Sequence, residues 1–381
     1  MQLDFNPERL SKALSFRGMT ISELAQKTGI ARQTLSSYKS GKNLKPISEH
    51  INQIAKELNF PKKFFFEESY ELNKSPMYFR SLLTTKKAYR EYQKVKSEFL
   101  EIVYTFLYQY IEFPKFNLPD FTSNDPEIMA NELREYWGLG NEPIYDLVSV
   151  VEENGIIVSE FSTNSDAIDA YSKKILLPDN SVTYFICYSE NKTSASRIHF
   201  DIAHELGHIC MHEWYNDYEM DKEDFIQHEK EANAFASAFL LPKSSFYNDA
   251  TRINHSIYSY TKLKNKWYAS IQAMVKRSND LGIIDYETYS KIFVSMSKRG
   301  IRKEEPLDDV LVTAEPCMLK SAVELLMDKA VFINGTDFMD KFYEFSKLRI
   351  NPSDLEKILY LPKNYLLDNK VLEFDKLALK K

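Results

Sequence analysis

Two histidines and a glutamate stand close together in the run His-Glu-Leu-Gly-His at residues 204–208. If this run is helical, residues four apart lie on one face, so His204 and His208 can each turn an imidazole nitrogen toward a single ion. Neutral imidazole binds zinc well, and catalytic zinc sites combine three protein ligands with one open position. Glu205 flanks the pair without being needed as a ligand, so it can accept a proton from the water that attacks a carbonyl. The spacing therefore predicts a catalytic zinc (Zn2+) site.

A third ligand is expected on a second helix, from Gln227 to Pro242. Helical spacing turns a set of its apolar residues inward, namely Ala232, Phe235, Ala236, Phe239 and Leu240. Glu231 opens this buried stretch, where a carboxylate is costly unless it is paired or bound to a cation. We therefore choose Glu231 as the third metal ligand, and Glu229 and His228, within one turn of it, remain the alternatives.

These motifs resemble the ImmA/IrrE family of bacterial metallopeptidases. The matching residues are Arg197, the core Ala203-His-Glu-Leu-Gly-His208, the run Glu231-Ala-Asn-Ala-Phe-Ala236 and Leu240-Leu-Pro242. The resemblance extends roughly from residue 75 to residue 300. It implies a zincin-like fold with a zinc ion on His204, His208 and Glu231. It also implies that Glu205 is the general base and that the substrate is a repressor-type protein.

Composition places the chain among ordinary globular proteins. Its 381 residues, 44% of them hydrophobic, are enough for two or three domains with their own cores. The sequence has neither an apolar run of about 18 residues nor a charged segment followed by an apolar one at its start. We therefore expect a soluble cytoplasmic protein without a membrane span. Its three cysteines are widely spaced, which argues against a disulfide framework.

The first 66 residues differ in charge from the rest of the chain. They hold 11 Lys and Arg against 5 Asp and Glu, whereas the whole chain has a net charge of −6. Thr20 and Glu23 form a capping box that predicts the start of a helix, and Gly29 ends that helix. The next helix runs from Ala31 to Ser40 and is closed by Gly41. Two helices joined by a glycine turn, with an excess of basic residues, indicate a DNA-binding helix-turn-helix.

The segment up to about Phe60 resembles the Xre/Cro type of repressor domain. This resemblance makes Arg32, Gln33 and Ser37 the expected contacts to base edges, with Thr34 close to the DNA backbone. Arg and Gln are the side chains that pair bidentately with guanine and adenine edges. The expected partner is a double-stranded DNA operator, read by a homodimer over two half-sites. A protein-interaction or dimerisation module without DNA affinity is the alternative.

Between these two regions, periodic apolar residues predict one long helix from about Ser81 to Glu112. The apolar stripe consists of Ala88, Tyr92, Val95, Phe99, Ile102 and Phe106. It is too short for a convincing coiled coil, so we expect the helix to pack against the peptidase body, with a dimer seam as the alternative. The elements predicted farther along are helices at 126–136 and 146–154 and strands at 156–161, 167–172 and 182–189.

The predicted fold class is multidomain and mainly α, with an α+β part. The domains are an all-α helix-turn-helix domain at 1–66, a connecting long helix at 67–118, a zincin-like α+β peptidase domain at 119–245 and a helical C-terminal region of unknown role at 246–381. The sheet of the peptidase domain should lie beside the metal-bearing helix. Its edge can then bind an extended peptide by strand addition.

The expected function is that of a DNA-binding zinc metallo-endopeptidase that regulates transcription by cutting a repressor or antitoxin-type protein, in phage, mobile-element or stress control. One alternative is a transcriptional repressor whose zincin-like domain senses or scaffolds without proteolysis. Another is one half of a toxin–antitoxin or phage-defence pair, which differs in partner rather than in chemistry. Glu205 favours the peptidase, because a structural zinc site does not need an unliganded glutamate beside the ion.

Overall fold

The structure, a computed structural model, describes residues 4–68, 77–79, 87–161, 170–190, 194–212 and 221–367. Its helices are α1 Pro7–Phe16, α2 Ile21–Thr28, α3 Arg32–Lys39, α4 Ser48–Leu58, α5 Lys87–Leu107, α6 Pro126–Tyr136, α7 Leu147–Glu153, α8 Ala195–Met211, α9 Lys222–Leu240, α10 Lys243–Ala250, α11 Ile257–Trp267, α12 Ile271–Asp280, α13 Tyr286–Lys298, α14 Met318–Asp328, α15 Gly335–Ser346 and α16 Pro352–Ile358. Its strands are β1 Met77–Phe79, β2 Ile156–Phe161, β3 Ala170–Leu176 and β4 Val182–Ser189.

The chain divides into two compact units, each built from separate stretches of sequence. One unit contains the described residues of Met1–Leu72, Lys87–Glu112 and Leu319–Lys381, and the other contains those of Asn73–Lys86 and Phe113–Met318. The boundaries assigned from the sequence instead cut the chain into consecutive segments. The predicted fold class, multidomain and mainly α with an α+β part, is confirmed. Within the described residues, no helix is both long enough and apolar enough to cross a membrane.

Helices α1 to α4 form the N-terminal domain around a small apolar core. Its buried residues include Leu10, Leu14, Leu24, Leu35, Tyr38, Ile54 and Leu58. Helix α2 begins with the predicted capping box, in which the backbone N–H of Thr20 donates to the Glu23 carboxylate at 2.7 Å and the Thr20 hydroxyl accepts from the Glu23 N–H at 3.2 Å. Gly29 then ends α2 in the left-handed region, at φ +73°, which favours glycine. Both ends of α2 agree with the prediction.

Helix α5 packs against helices of its own unit. The sequence predicts packing against the peptidase body; within its own unit, the structure shows α5 packed against α1 and α15. The Phe99 ring lies 4.8 Å from that of Phe16 in α1, and the Phe106 ring lies 5.4 Å from that of Phe342 in α15. The buried residues of α5 include Val95, Phe99, Leu100, Ile102, Val103, Tyr104, Phe106 and Leu107. This buried surface is wider than one heptad stripe, so it suits contact with several helices.

The second unit contains a sheet whose described strands follow the order β1-β3-β4-β2. Strand β3 pairs antiparallel with both β1 and β4, and β2 pairs parallel with β4. Strands β2 and β4 have the predicted limits, whereas β3 continues beyond the predicted end at residue 172. Residues 167–169 of the predicted strand lie outside the described part. Strand β1 is not predicted from the sequence. It pairs with β3 along one edge, with Tyr78 opposite Ser172.

Helices α8 and α9 pack closely against each other beside this sheet. Gly207 lies at their crossing, where an added Cβ would come within 3.1 Å of Ala232 Cα and 3.2 Å of the Phe235 ring. These distances are shorter than ordinary van der Waals contact, so the missing side chain of Gly207 allows the approach. Phe235 and Ala236 of α9 continue into the core of the unit.

A buried ion cluster holds the start of α8. Lys264 of α11 is fully buried, and its Nζ lies 3.0 Å from Glu305 and 2.5 Å from Asp308. Asp308 also accepts a hydrogen bond from Ser194, the residue before α8, at 2.6 Å. Glu305 accepts the backbone N–H of Ile271 at the start of α12. The segment after α13 therefore fixes the end of α8 that precedes the two histidines.

We expect Gly207→Val to push α8 and α9 apart. The nearest atoms belong partly to the Ala232 backbone, which cannot move aside as a flexible side chain can. The free energy of unfolding should fall by about 1–3 kcal/mol, the usual cost of overpacking. Denaturation followed by circular dichroism measures the loss. The same side chain at an exposed position of α13, in Ser297→Val, should change the free energy by less than about 0.5 kcal/mol. Equal stabilities of the two variants would contradict the close crossing.

Candidate metal centre

Helix α8 presents both histidines of the motif on one face. His204 and His208 are one turn apart, and their exposed fractions are 0% and 1%. The two rings are nearly perpendicular, with planes 81° apart and centroids 4.7 Å apart. Their Nε2 atoms lie 3.0 Å from each other. The structure therefore brings together the two nitrogens that the sequence predicts to share an ion.

The carboxylate beside this pair belongs to Glu229. Its Oε2 lies 3.6 Å from Nε2 of His204, and its Oε1 lies 3.4 Å from Nε2 of His208. The structure places Glu231 elsewhere, with Oε2 at 3.0 Å from Nε2 of His212. The choice of Glu231 from the sequence therefore does not match this geometry, which favours Glu229, the alternative left open.

Helical geometry explains why the two glutamates diverge. Each residue of an α-helix is rotated by about 100° from the one before, so Glu229 and Glu231 point in directions roughly 200° apart. Glu229 lies one turn before Ala232, the residue closest to Gly207, so it shares the side of α9 that faces α8. The apolar pattern of the sequence predicts that this helix carries the third ligand, but it does not show which face of the helix meets α8.

Burial and hydrogen bonding set the charges of these groups. Burial lowers the pKa of His208 well below its usual value, so this imidazole is neutral and able to bind a metal. Burial acts to raise the pKa of Glu229, but hydrogen bonds with His204 and His208 outweigh it and lower the pKa to about 2. Glu229 is therefore ionised at neutral pH. A half-buried negative charge beside two buried imidazoles favours a bound cation.

The geometry of these donors fits a zinc ion. Zinc binds histidine nitrogen and carboxylate oxygen at about 2.0–2.2 Å in a tetrahedral arrangement, so neighbouring ligand atoms lie roughly 3.3 Å apart. The separations here are 3.0 Å between the two nitrogens and 3.4 and 3.6 Å from them to the Glu229 oxygens. Three protein ligands would leave one tetrahedral position open, as in catalytic zinc sites.

Glu205 is fully buried, and strand β3 holds its carboxylate. The hydroxyl of Ser172 in β3 donates a hydrogen bond to Oε2 of Glu205 at 2.6 Å. Ser172 is not among the residues predicted from the sequence, because the alternation of side chains along a strand does not show which face of the sheet meets α8.

A second group of possible ligands continues the first along α8 and α9. His212, His228 and Glu231 each offer a ligand atom, and these atoms lie within 4.8 Å of one another. The rings of His212 and His228 are stacked, with centroids 3.9 Å apart and planes 14° apart. The two groups are joined because Nδ1 of His208 lies 2.9 Å from Nδ1 of His212. Burial lowers the pKa of His212 to about 4.

The predicted DNA contacts lie on or beside the exposed face of α3. Arg32 and Gln33 are exposed, and Thr34 and Ser37 are half-buried. The Ser37 hydroxyl donates to the backbone carbonyl of Thr34 at 2.8 Å, within the same helix. Leu35 is fully buried and anchors the other face of α3 in the domain. Arg32 and Gln33 are thus the predicted contacts with the greatest freedom to reach a base edge.

Comparison with known families assigns the candidate metal centre and the helix-turn-helix to two different families. Residues 151–279 match a peptidase family described as the IrrE N-terminal-like domain, and residues 8–72 match a family described as a helix-turn-helix domain. The chain contains an IrrE-like domain. The resemblance to ImmA/IrrE peptidases with an N-terminal helix-turn-helix is thereby confirmed. A search of curated proteins found no match.

The candidate metal centre lies wholly inside the IrrE-like domain. The matched residues include β2, β3 and β4, both helices that carry the ligands, and the helices up to α12. Strand β1 and the ion-pair partners Glu305 and Asp308 lie outside the match. The IrrE-like domain therefore supplies the ligands, and segments on either side of it support α8 and cover β3.

We expect Glu229→Gln to weaken zinc binding far more than Glu231→Gln. The amide keeps the size of the side chain but removes the negative charge that attracts the cation. The zinc affinity should therefore fall on the order of 100-fold or more. Glu231→Gln makes the same change two residues away, on a carboxylate that does not reach the two Nε2 atoms, and should cost clearly less affinity. Competition with a chromophoric chelator measures both. A larger loss in Glu231→Gln would restore Glu231 as the ligand.

Proposed function

We propose that this chain is a zinc metallo-endopeptidase joined to a DNA-binding domain, and that it regulates transcription by cutting a repressor or antitoxin-type protein. The main support is the convergence of His204, His208 and Glu229, together with Glu205, which follows His204 in α8 and has a buried carboxylate bonded to Ser172. The IrrE-like match supports the peptidase class, and the helix-turn-helix match supports DNA binding. The substrate class rests on the family resemblance.

The residues of the centre divide the chemistry between holding an ion and moving a proton. His204, His208 and Glu229 would hold the zinc ion, which supplies Lewis acidity toward a peptide carbonyl when it is bound. Glu205 accepts the proton of the attacking water and delivers it to the leaving amine. Ser172 fixes one oxygen of Glu205, so the carboxylate keeps a single orientation during both transfers.

Strand β3 is the natural docking element for an extended substrate. It carries Ser172, so a peptide that pairs with β3 would run beside Glu205. Strand β1 occupies this edge of β3, and its described residues, Met77 to Phe79, pair with Lys173 to Tyr171. A substrate that pairs with β3 therefore has to replace β1. One that added to the outer edge of β1 would lie about 4.8 Å farther from the general base.

Glu205→Gln should abolish cleavage and leave zinc and DNA binding unchanged. Loss of a general base typically costs about 10²–10⁴-fold in rate, and Glu205 is not needed as a ligand. The assay incubates the full-length chain with repressor and antitoxin-type proteins encoded next to its gene, and follows fragments by mass spectrometry. Ser172→Ala, which frees the Glu205 carboxylate without removing it, should give a smaller loss, roughly tenfold.

Metal removal provides the control for this assay. Chelation should stop cleavage by the wild type, and added zinc should restore it. Fragments that form equally with Glu205→Gln and in the presence of chelator would contradict the peptidase. A footprint on DNA upstream of the gene, combined with intact candidate substrates, would favour the repressor that senses or scaffolds without proteolysis.

Arg32→Ala and Gln33→Ala should each weaken specific DNA binding. A bidentate contact to a base edge contributes about 1–3 kcal/mol, so Kd should rise roughly 5- to 150-fold. Fluorescence anisotropy with DNA upstream of the gene measures the change, and Glu205→Gln serves as the variant that should bind normally. An equal loss on unrelated DNA would mean that these residues contact phosphates and do not read bases.

A further inference from the structure

Three hydrogen bonds lead away from His208 on the side opposite its candidate metal-binding nitrogen. Nδ1 of His208 lies 2.9 Å from Nδ1 of His212, and Nε2 of His212 lies 3.0 Å from Oε2 of Glu231. Gln227 donates from Nε2 to the other oxygen of Glu231 at 2.7 Å. We call His208, His212 and Glu231 the histidine relay.

Metal binding by His208 fixes where each proton of the relay lies. A neutral imidazole that uses Nε2 as a ligand carries its proton on Nδ1, so His208 donates to Nδ1 of His212. Because His212 accepts at Nδ1, its own proton lies on Nε2, and it donates to the Glu231 carboxylate. Each donor then meets an acceptor. The relay is therefore compatible with a single tautomer of each ring.

We propose that His212 and Glu231 are positioning residues of the metal centre, a role that rests on the proposed function. They hold the His208 ring in place and select the tautomer whose Nε2 lone pair faces the ion. Histidine ligands commonly donate their second N–H to a carboxylate or carbonyl, and loss of such a partner lowers metal affinity by roughly 10- to 100-fold. In this chain the carboxylate acts through a second imidazole.

A second cation on His212, His228 and Glu231 is the rival explanation for the same residues. The stacked rings of His212 and His228 are only 14° from parallel, so the in-plane lone pairs of their nitrogens run side by side and do not converge. A cation on Nε2 of His212 would also move the His212 proton to Nδ1. There it would face the Nδ1 proton of a metal-bound His208, 2.9 Å away. Both observations favour the relay.

The surroundings of the relay strengthen its hydrogen bonds. His208 and His212 are buried, with exposed fractions of 1% and 9%, and the His228 ring covers one face of His212. Hydrogen bonds are stronger in such an environment of low dielectric constant than in water. Glu231 is half-buried and held by Gln227, so the charged end of the relay retains contact with solvent.

The test compares the zinc affinity of the full-length wild type with that of three variants, by competition with a chromophoric chelator. His212→Leu keeps a similar volume but removes both hydrogen bonds, and it should lower the affinity roughly 10- to 100-fold. His212→Gln can accept at its oxygen and donate at its nitrogen, so it should recover most of that loss. His228→Leu removes the stacked ring and a possible ligand of a second ion, and it should stay within about threefold of the wild type.

Nuclear magnetic resonance of zinc-loaded protein with ¹⁵N-labelled histidine gives a readout that is independent of activity. His208 should be protonated at Nδ1 and His212 at Nε2 in the wild type. The ring signals of His208 should shift in His212→Leu but much less in His228→Leu. Thermal unfolding of each variant shows whether it is folded. If His212→Leu does not fold, the comparison of His212→Gln with the wild type still tests the relay.

Several outcomes would overturn the relay. One is a zinc affinity of His212→Leu within about threefold of the wild type, well short of the loss expected for a partner of a ligand. Another is a wild type that binds two zinc ions per chain and loses one of them in both His212→Leu and His228→Leu, which would establish the second cation. A wild type that binds no zinc would instead overturn the proposed function, so the two failures are distinguishable.

Discussion

The close crossing of α8 and α9 is the constraint on which the candidate metal centre depends. The absent side chain at Gly207 lets Ala232 approach, and this approach brings Glu229 of one helix to the nitrogens carried by the other. Bonds to zinc of about 2.0–2.2 Å leave little tolerance for a wider crossing. A hydrogen bond also fixes one end of each helix. Ser194, which precedes α8, donates to Asp308, and Arg134 of α6 donates to the Phe239 carbonyl near the end of α9 at 2.6 Å.

The part of this site that could be predicted from the sequence is the part governed by local geometry. His204 and His208 lie four residues apart on one helix, so their shared face follows from helical spacing alone. Glu229 and Ser172 depend on how α9 is rotated toward α8 and where β3 runs, and neither follows from spacing. The hydrophobic pattern of α9 gave its buried stretch, but Glu229 and Glu231 both border that stretch. Only the position of Ala232 against Gly207 separates them.

In the fold, too, features set by neighbouring residues could be predicted, whereas contacts between distant residues could not. The capping box at Thr20 and the left-handed Gly29 are set by neighbouring residues, and both were predicted. The partners of α5 were not, because Phe106 meets aromatic rings more than two hundred residues farther along the chain. Strand β1 was missed for a related reason. Three residues are too few to show a period, and their pairing with β3 depends on a strand almost a hundred residues later.

Hydrogen bonds between titratable groups link the candidate metal centre to the surface of the protein. The Nε2 atoms of His204 and His208, with their lone pairs, lie 3.6 and 3.4 Å from the oxygens of the ionised Glu229 carboxylate. A bound cation takes over those lone pairs, so the proton of His208 has to lie on Nδ1, toward His212. The proton of His212 then faces Glu231, which is half-buried. In the proposed relay, a cation on one face of α8 thus fixes the direction of each hydrogen bond up to the solvent, so a glutamate outside the ligand set would affect how well the ion is held.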